Sequence, residues 1–392
     1  GQVSLSAFGS VGVSGDLNLR GPLSITAGGN ITLNAITQTE TGLATLSSTA
    51  GSVYFGAPAS FAGGLTVSAG TTISQNPDLN QSAVLTVAGD TSLTGATVTL
   101  TRPTNDFQGA VSLSGGTITL VDQNALELGT SNVSGNLSLT FASDLTQSGA
   151  LTMTGVSPLG LTLIASAAGS NIDLSTQNNS LGGAVTIGGT AGNVQDVKLK
   201  NISNAAGVIG NLTSTSLRDL KVIYTQQGYE IPSLTMTTLR NLEINTSGLG
   251  TGPGGAITQV PGTIIQRVAG ATASFNAGAN SINLADPDNV FLGPVSLIST
   301  GPSVSLANLG ALQLGTVTVG GNLVVSASGA ITDSGVLTVT GASSFTTTTG
   351  NSAITLDGAS SFGQSVSLST AGTGNATLQN VVGALDFGTV TV

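Results

Sequence analysis

The chain has 392 residues, with no Cys, His or Trp, 7% charged residues, 56 Gly and a formal net charge of −10. Disulfides and Cys/His-bound metals are thereby excluded, and an acidic chain lacks the basic surface that nucleic acid or an anionic membrane requires. A hydrophobic fraction of 39%, spread with strand-like period, separates it from disordered Gly/Ser/Thr-rich polypeptides.

Residues 1–75 read as short strands separated by glycine. GPLSITAGGNITL and ASFAGGLTVSAGTTI alternate apolar with Thr/Ser positions, the period of a half-buried strand. Residues 76–190 continue in the same way. The stretch from Ala125, ALELGTSNVSGNLSLTFASDLTQSGALTMTG, aligns without a gap to ALQLGTVTVGGNLVVSASGAITDSGVLTVTG from Ala311, and partial copies begin near residues 5 and 384. A second piece, NDFQGAVSL at Asn105, returns as NSLGGAVTI at Asn179, NVFLGPVSL at Asn289 and SSFGQSVSL at Ser360, with ASFAGGLTV at Ala59 a looser member. Its Phe is expected to plug a corner of a coil, and the small residues after it to permit a tight bend.

Residues 191–250 carry five of the eight basic residues (Lys198, Lys200, Arg218, Lys221 and Arg240) and two of the three tyrosines, Tyr224 and Tyr229. LKNI at Leu199, LRDL at Leu217 and LRNL at Leu239 are 18 and 22 residues apart, about one turn of a three-sided coil of parallel strands. This spacing predicts that Asn201, Asp219 and Asn241 stack as a hydrogen-bonded ladder. The same L-x-(N/D) element places Asp122, Asp286, Asn308 and Asn380 in equivalent ladder positions. Lys200, Arg218 and Arg240 would then stack like charges, offset by Asp196, Asp219, Glu230 and Glu243. Residues 251–282 are Gly/Pro-rich and read as an irregular coil or an outward loop, and residues 283–392 return to the repeat.

The uneven intervals between copies argue against an array of beads, which recur at fixed spacing, and for a solenoid, whose coils can be added or lost. The expectation is all-β: one continuous parallel β-solenoid over 1–392, about 18–22 residues per coil, forming a segment of a longer chain. No apolar run reaches the roughly 18–20 residues of a membrane helix.

NDFxGAVSL, TLxDxxALxLGT, VxGNLxL and SGxLTxTG together resemble the large secreted β-strand-repeat proteins of the filamentous-haemagglutinin type. The resemblance implies a right-handed parallel β-helix, export to the extracellular medium or the bacterial cell surface, and roles in adhesion, aggregation or surface fibres. The function expected is a non-catalytic shaft without cofactors. Its expected partners are further copies, assembled into fibres, and a glycan or protein on a host or neighbouring cell.

Three other readings carry residues of their own. A polysaccharide-degrading or carbohydrate-binding β-helix needs converging carboxylates or a polar–aromatic patch; Arg218, Lys221, Tyr224 and Tyr229 are the candidate patch. Asp286 and Asp288, flanking Pro287, read as a capped turn rather than a Ca²⁺ site. The outward T-x-T pairs (Thr97/Thr99, Thr117/Thr119, Thr152/Thr154, Thr316/Thr318 and Thr338/Thr340) suit ordinary strand surfaces better than an ice-binding lattice, which needs an even repeat.

Overall fold

The computed structural model describes all residues except 77–81, 156–158, 190–191, 205–208, 211–215, 235–237, 263, 265–267 and 269. Alternation in the sequence becomes strands of two to twelve residues, almost all pairing in parallel with the coil before and the coil after. The protein is a β-solenoid of about 16 turns with almost no helix. It divides into two compact units, Gly1–Val194 with Ala205–Asn211, and Gln195–Asn204 with Leu212–Val392.

In the first unit one coil runs through Leu23–Ala27, Ile31–Leu33 and Ile36–Gln38, and the next through Ala44–Ser48, Val53–Phe55 and Ala59–Phe61. Leu23 faces Ala44, Ile31 faces Val53 and Ile36 faces Ala59. Period-two alternation turns every second side chain inward, so stacking builds apolar columns. Ile31, Val53, Ile73, Val98, Ile118, Leu137, Leu161 and Val185 form one such column over eight successive coils, each residue at most 1% exposed. Between the inward residues the strands present hydroxyls, as along Ser24, Thr45, Thr66, Ser92 and Ser112.

The second unit contains an eight-stranded parallel sheet from Tyr229–Ile231 to Phe387–Thr391. Coil length varies more than expected. Val304 faces Leu323, and Leu137 faces Leu161. Asn241 faces Thr272, 31 residues on, well outside the range 18–22. The excess lies between the paired strands Asn241–Asn245 and Thr272–Gly278; residues 263, 265–267 and 269 of the expected irregular stretch 251–282 lie outside the described residues. Ile257–Gln259 and Thr272–Gly278 pair with their neighbours, joined to the preceding strand through a short 3-10 turn at Gly248–Gly250.

The predicted Phe plugs are in place: Phe61, Phe107, Phe291 and Phe362 are at most 3% exposed. After Phe61, Phe107 and Phe291 a glycine follows two residues on, and it has a steric reason. A Cβ on Gly293 would lie 1.7 Å from the Ala271 carbonyl oxygen, and one on Gly63 2.2 Å from that of Gly42. The backbones of successive coils touch at this bend, and only Gly admits the approach.

Candidate functional site

The distinctive chemistry of this chain lies at the coil corners and on one charged face. Asp122, Asn308 and Asn380, expected to form a ladder, instead cap a corner. The Phe107 N–H donates to Asp122 Oδ1 (3.5 Å), Phe291 N–H to Asn308 Oδ1 (2.7 Å) and Phe362 N–H to Asn380 Oδ1 (3.2 Å). The L-x-(N/D) element thus closes the bend of the preceding coil just where the Phe plugs it. Asn308 and Asn380 use their amide N–H groups as well, donating to the carbonyls of Ala311 (2.8 Å) and Val382 (2.9 Å). Asp286 belongs to a different turn, accepting from Asp288 N–H (3.0 Å) and Gly262 N–H (2.9 Å), the capped turn that Asp-Pro-Asp predicts.

The residue two before the Phe carries a second, unpredicted device. Asn105 Nδ2 donates to Gln75 Oε1 (3.1 Å) while Gln75 Nε2 donates to Asn105 Oδ1 (2.7 Å). The same double amide bond joins Asn179 to Gln147 (3.0 and 2.9 Å) and Asn289 to Gln259 (3.0 and 2.9 Å). Each Asn is fully buried. Each Asn oxygen also accepts a backbone N–H, from Leu85, Leu151 or Ile264, and each Nδ2 donates to a carbonyl five residues earlier, of Leu100, Leu174 or Leu284. A buried primary amide is costly unless all its bonds are made, and here the partners span two coils and lock them in register. At the fourth position Asp333 stands for Gln and Ser360 for Asn; the Ser360 hydroxyl accepts the Leu337 N–H (3.2 Å). The signal was present as (I/L)-x-Q followed 30–32 residues later by N-x-(F/L); Gln147 lies inside the stretch from Ala125, but nothing in either recognised motif marks the Gln as the partner of an Asn.

These clamps recur with the unit that comparison with known families delineates. A model described as repeats of unknown function (DUF5649) matches residues 41–114, 115–188, 233–298 and 301–369, well over half of the chain. The chain belongs to the DUF5649 repeat family. No curated protein and no solved structure matches it. Each of the four DUF5649 repeats contains one clamp position: Gln75–Asn105, Gln147–Asn179, Gln259–Asn289 and Asp333–Ser360.

The charged face lies largely in the stretch between the second and third DUF5649 repeats. Its register corrects the predicted ladder. Asp219 faces Asn241 as expected, with Asn241 Nδ2 donating to Asp219 Oδ1 (2.8 Å). Asn201, however, faces Tyr224, and the residue opposite Asp219 is Asp196. The 18-residue spacing of LKNI and LRDL was misleading; VQDV at Val194 is the true predecessor of LRDL. The arginines reach back one coil each. Arg218 donates to Asp196 through Nε (3.1 Å) and a terminal nitrogen (2.7 Å), and Arg240 to Asp219 in the same fork (3.1 and 2.5 Å). Lys221 pairs with Glu243 (3.0 Å). Arg218, Arg240 and Lys221 are thus each paired with an acid on a neighbouring coil, while Lys200 faces Ile223 and does not join the expected column with Arg218. Burial pushes the Asp219 carboxyl up, but the bonds from Arg240 and Asn241 and the two guanidinium charges outweigh it and hold the group below the ordinary range.

The candidate patch Arg218, Lys221, Tyr224 and Tyr229 does not assemble as a surface. Both tyrosines are 3% exposed and pack edge-to-face with centroids 5.2 Å apart. They alternate inward on strands whose charged residues point out, so no aromatic platform accompanies Arg218 and Lys221. Burial pushes both phenols upward from their ordinary values. Among the T-x-T pairs, Thr97 and Thr99 stack directly on Thr117 and Thr119, but Thr152 faces Asn132 and Ser180, so the array changes composition from coil to coil. Among the described residues no group of three or more acidic residues is placed to hold a metal ion, and no helix is long and apolar enough to cross a membrane.

Proposed function

We propose that this chain is a non-catalytic structural shaft within an extracellular bacterial fibre or adhesin of the filamentous-haemagglutinin type. One observation carries the reading: three of the four DUF5649 repeats couple their coils through a buried Gln–Asn side-chain clamp in addition to the backbone ladder. Backbone hydrogen bonds between parallel coils run along the stacking direction, and a buried bond joining residues some 30 positions apart resists their separation. The outward surface supports the same reading. It is largely hydroxyl-bearing, and the three cross-coil ion pairs on the charged face tie that face to itself. Such a shaft would be secreted and would carry attachment or aggregation at the cell surface, with further copies and surface glycans or proteins as its partners.

The carbohydrate-binding and polysaccharide-degrading readings lose their best residues with the burial of Tyr224 and Tyr229. Immuno-electron microscopy of the full-length protein on its producing cells tests the proposal. Antibody-decorated filaments are expected. Dispersed globular particles, or turnover of a polysaccharide panel by the purified protein, would overturn it.

A further inference from the structure

Asp122 occupies the corner position that Asn308 and Asn380 occupy elsewhere, and it alone of the three lacks an amide. It is 1% exposed. Its Oδ1 accepts from Phe107 N–H (3.5 Å) and Asn124 N–H (3.3 Å), while its Oδ2 is buried with no hydrogen-bond partner. In the Asn308 corner the corresponding atom is Nδ2, which donates to the carbonyl three residues on, Ala311. The gapless alignment of the two units sets Ala125 in the place of Ala311. A carboxylate at this position offers a second acceptor where the corner provides a carbonyl acceptor; a neutral carboxylic acid offers a donor there, as the amide does.

We propose that Asp122 is a proton-operated corner clamp: neutral, it donates Oδ2–H to the Ala125 carbonyl and closes the bend around Phe107; ionised, it leaves that bond unmade and the coil loosened. The surroundings favour the neutral form. Burial dominates and the nearby Asp106 charge adds to it, against the N–H donors of Asn124 and Phe107, so the carboxyl is pushed up to about 6. The other charged groups around the corner do not neutralise it. Arg102, one coil earlier, directs its guanidinium to the Asn76 carbonyl, Glu127 points outward, and the strand Leu137–Phe141 of the next coil bears no titratable residue. A group raised in the folded state contributes stability that is complete below its unfolded value of about 4 and is lost as pH rises through about 6. The shaft would therefore hold this corner more firmly in acidic surroundings than in neutral ones.

The test compares thermal unfolding of the whole chain and its D122N variant from pH 4 to 8. The variant is expected to match the parent at pH 4 and to exceed its midpoint by roughly 5 °C at pH 8, the gap opening between about pH 4 and 6. The reciprocal N308D variant should acquire the same loss above pH 6 and recover at pH 4. A difference independent of pH in either variant overturns the proposal. So does a D122N chain that is less stable at pH 8, or one that fails to fold, because an amide already serves this corner at Asn308.

Discussion

Asn179 illustrates what a single side chain does in this molecule. It bonds Gln147 twice, accepts from Leu151 N–H (2.8 Å) and donates to the Leu174 carbonyl (2.8 Å), all out of water. Truncation would strand the Gln147 amide and two backbone groups, and unsatisfied buried groups cost about 1–3 kcal/mol each. N179A should therefore lower stability by roughly 2–4 kcal/mol, whereas S360A, which gives up one bond to Leu337 N–H, should cost about 1 kcal/mol. Native-state hydrogen exchange at Leu151 and Leu337 measures both; equal effects at the two sites would contradict the clamp. The sequence showed Asn105, Asn179 and Asn289 as members of a motif but not their partners. Periodicity reports which face a residue occupies, not which neighbour its polar atoms reach on the next coil.

At the scale of the strand, the charged face shows both the reach and the limit of spacing arguments. Leu217 and Leu239 head true equivalents because their 22-residue spacing is the register of the two strands, and the Asp219–Asn241 bond follows. Leu199 does not, because the register there is 23 residues, not 18, and Asp196 takes the position opposite Asp219. Burial of Tyr224 and Tyr229 was likewise hidden, since aromatic and charged residues close in sequence alternate between opposite faces of one strand. The Arg240–Asp219 fork makes a checkable claim. Asp219 is held below its ordinary pKa, so its native form stays ionised where the unfolded chain is protonated. That contribution is present above about pH 4 and lost as pH falls through the lowered native value. D219A should reduce stability by about 1 kcal/mol or less at pH 7, since the pair is partly solvated. The gap to the parent should close on acidification in a pH series of urea unfolding curves; a gap that widens toward pH 2 would refute the pairing. Asp219 and Asp122 thus respond to pH in opposite senses.

For the whole chain, composition and period were enough to give an all-β solenoid of parallel coils, because uncharged hydroxyl surfaces and uneven repeats suit little else. The clamps were not legible in this way, nor was the 31-residue interval from Asn241 to Thr272, because Gly and Pro in that stretch erase the alternation that marks strands. Repeat proteins gain stability from each unit and its neighbours rather than from one global core. In the proposed shaft the DUF5649 repeats are the mechanical units, three of the four tied by a buried Gln–Asn clamp. Single-molecule pulling of the chain from its two ends tests it most directly. Stepwise extension is expected, in which a repeat such as 115–188 releases roughly 250 Å of chain, with the step force lowered when Asn105, Asn179 and Asn289 are all replaced by Ala. Smooth coil-by-coil unwinding at a force unchanged by those substitutions would contradict it.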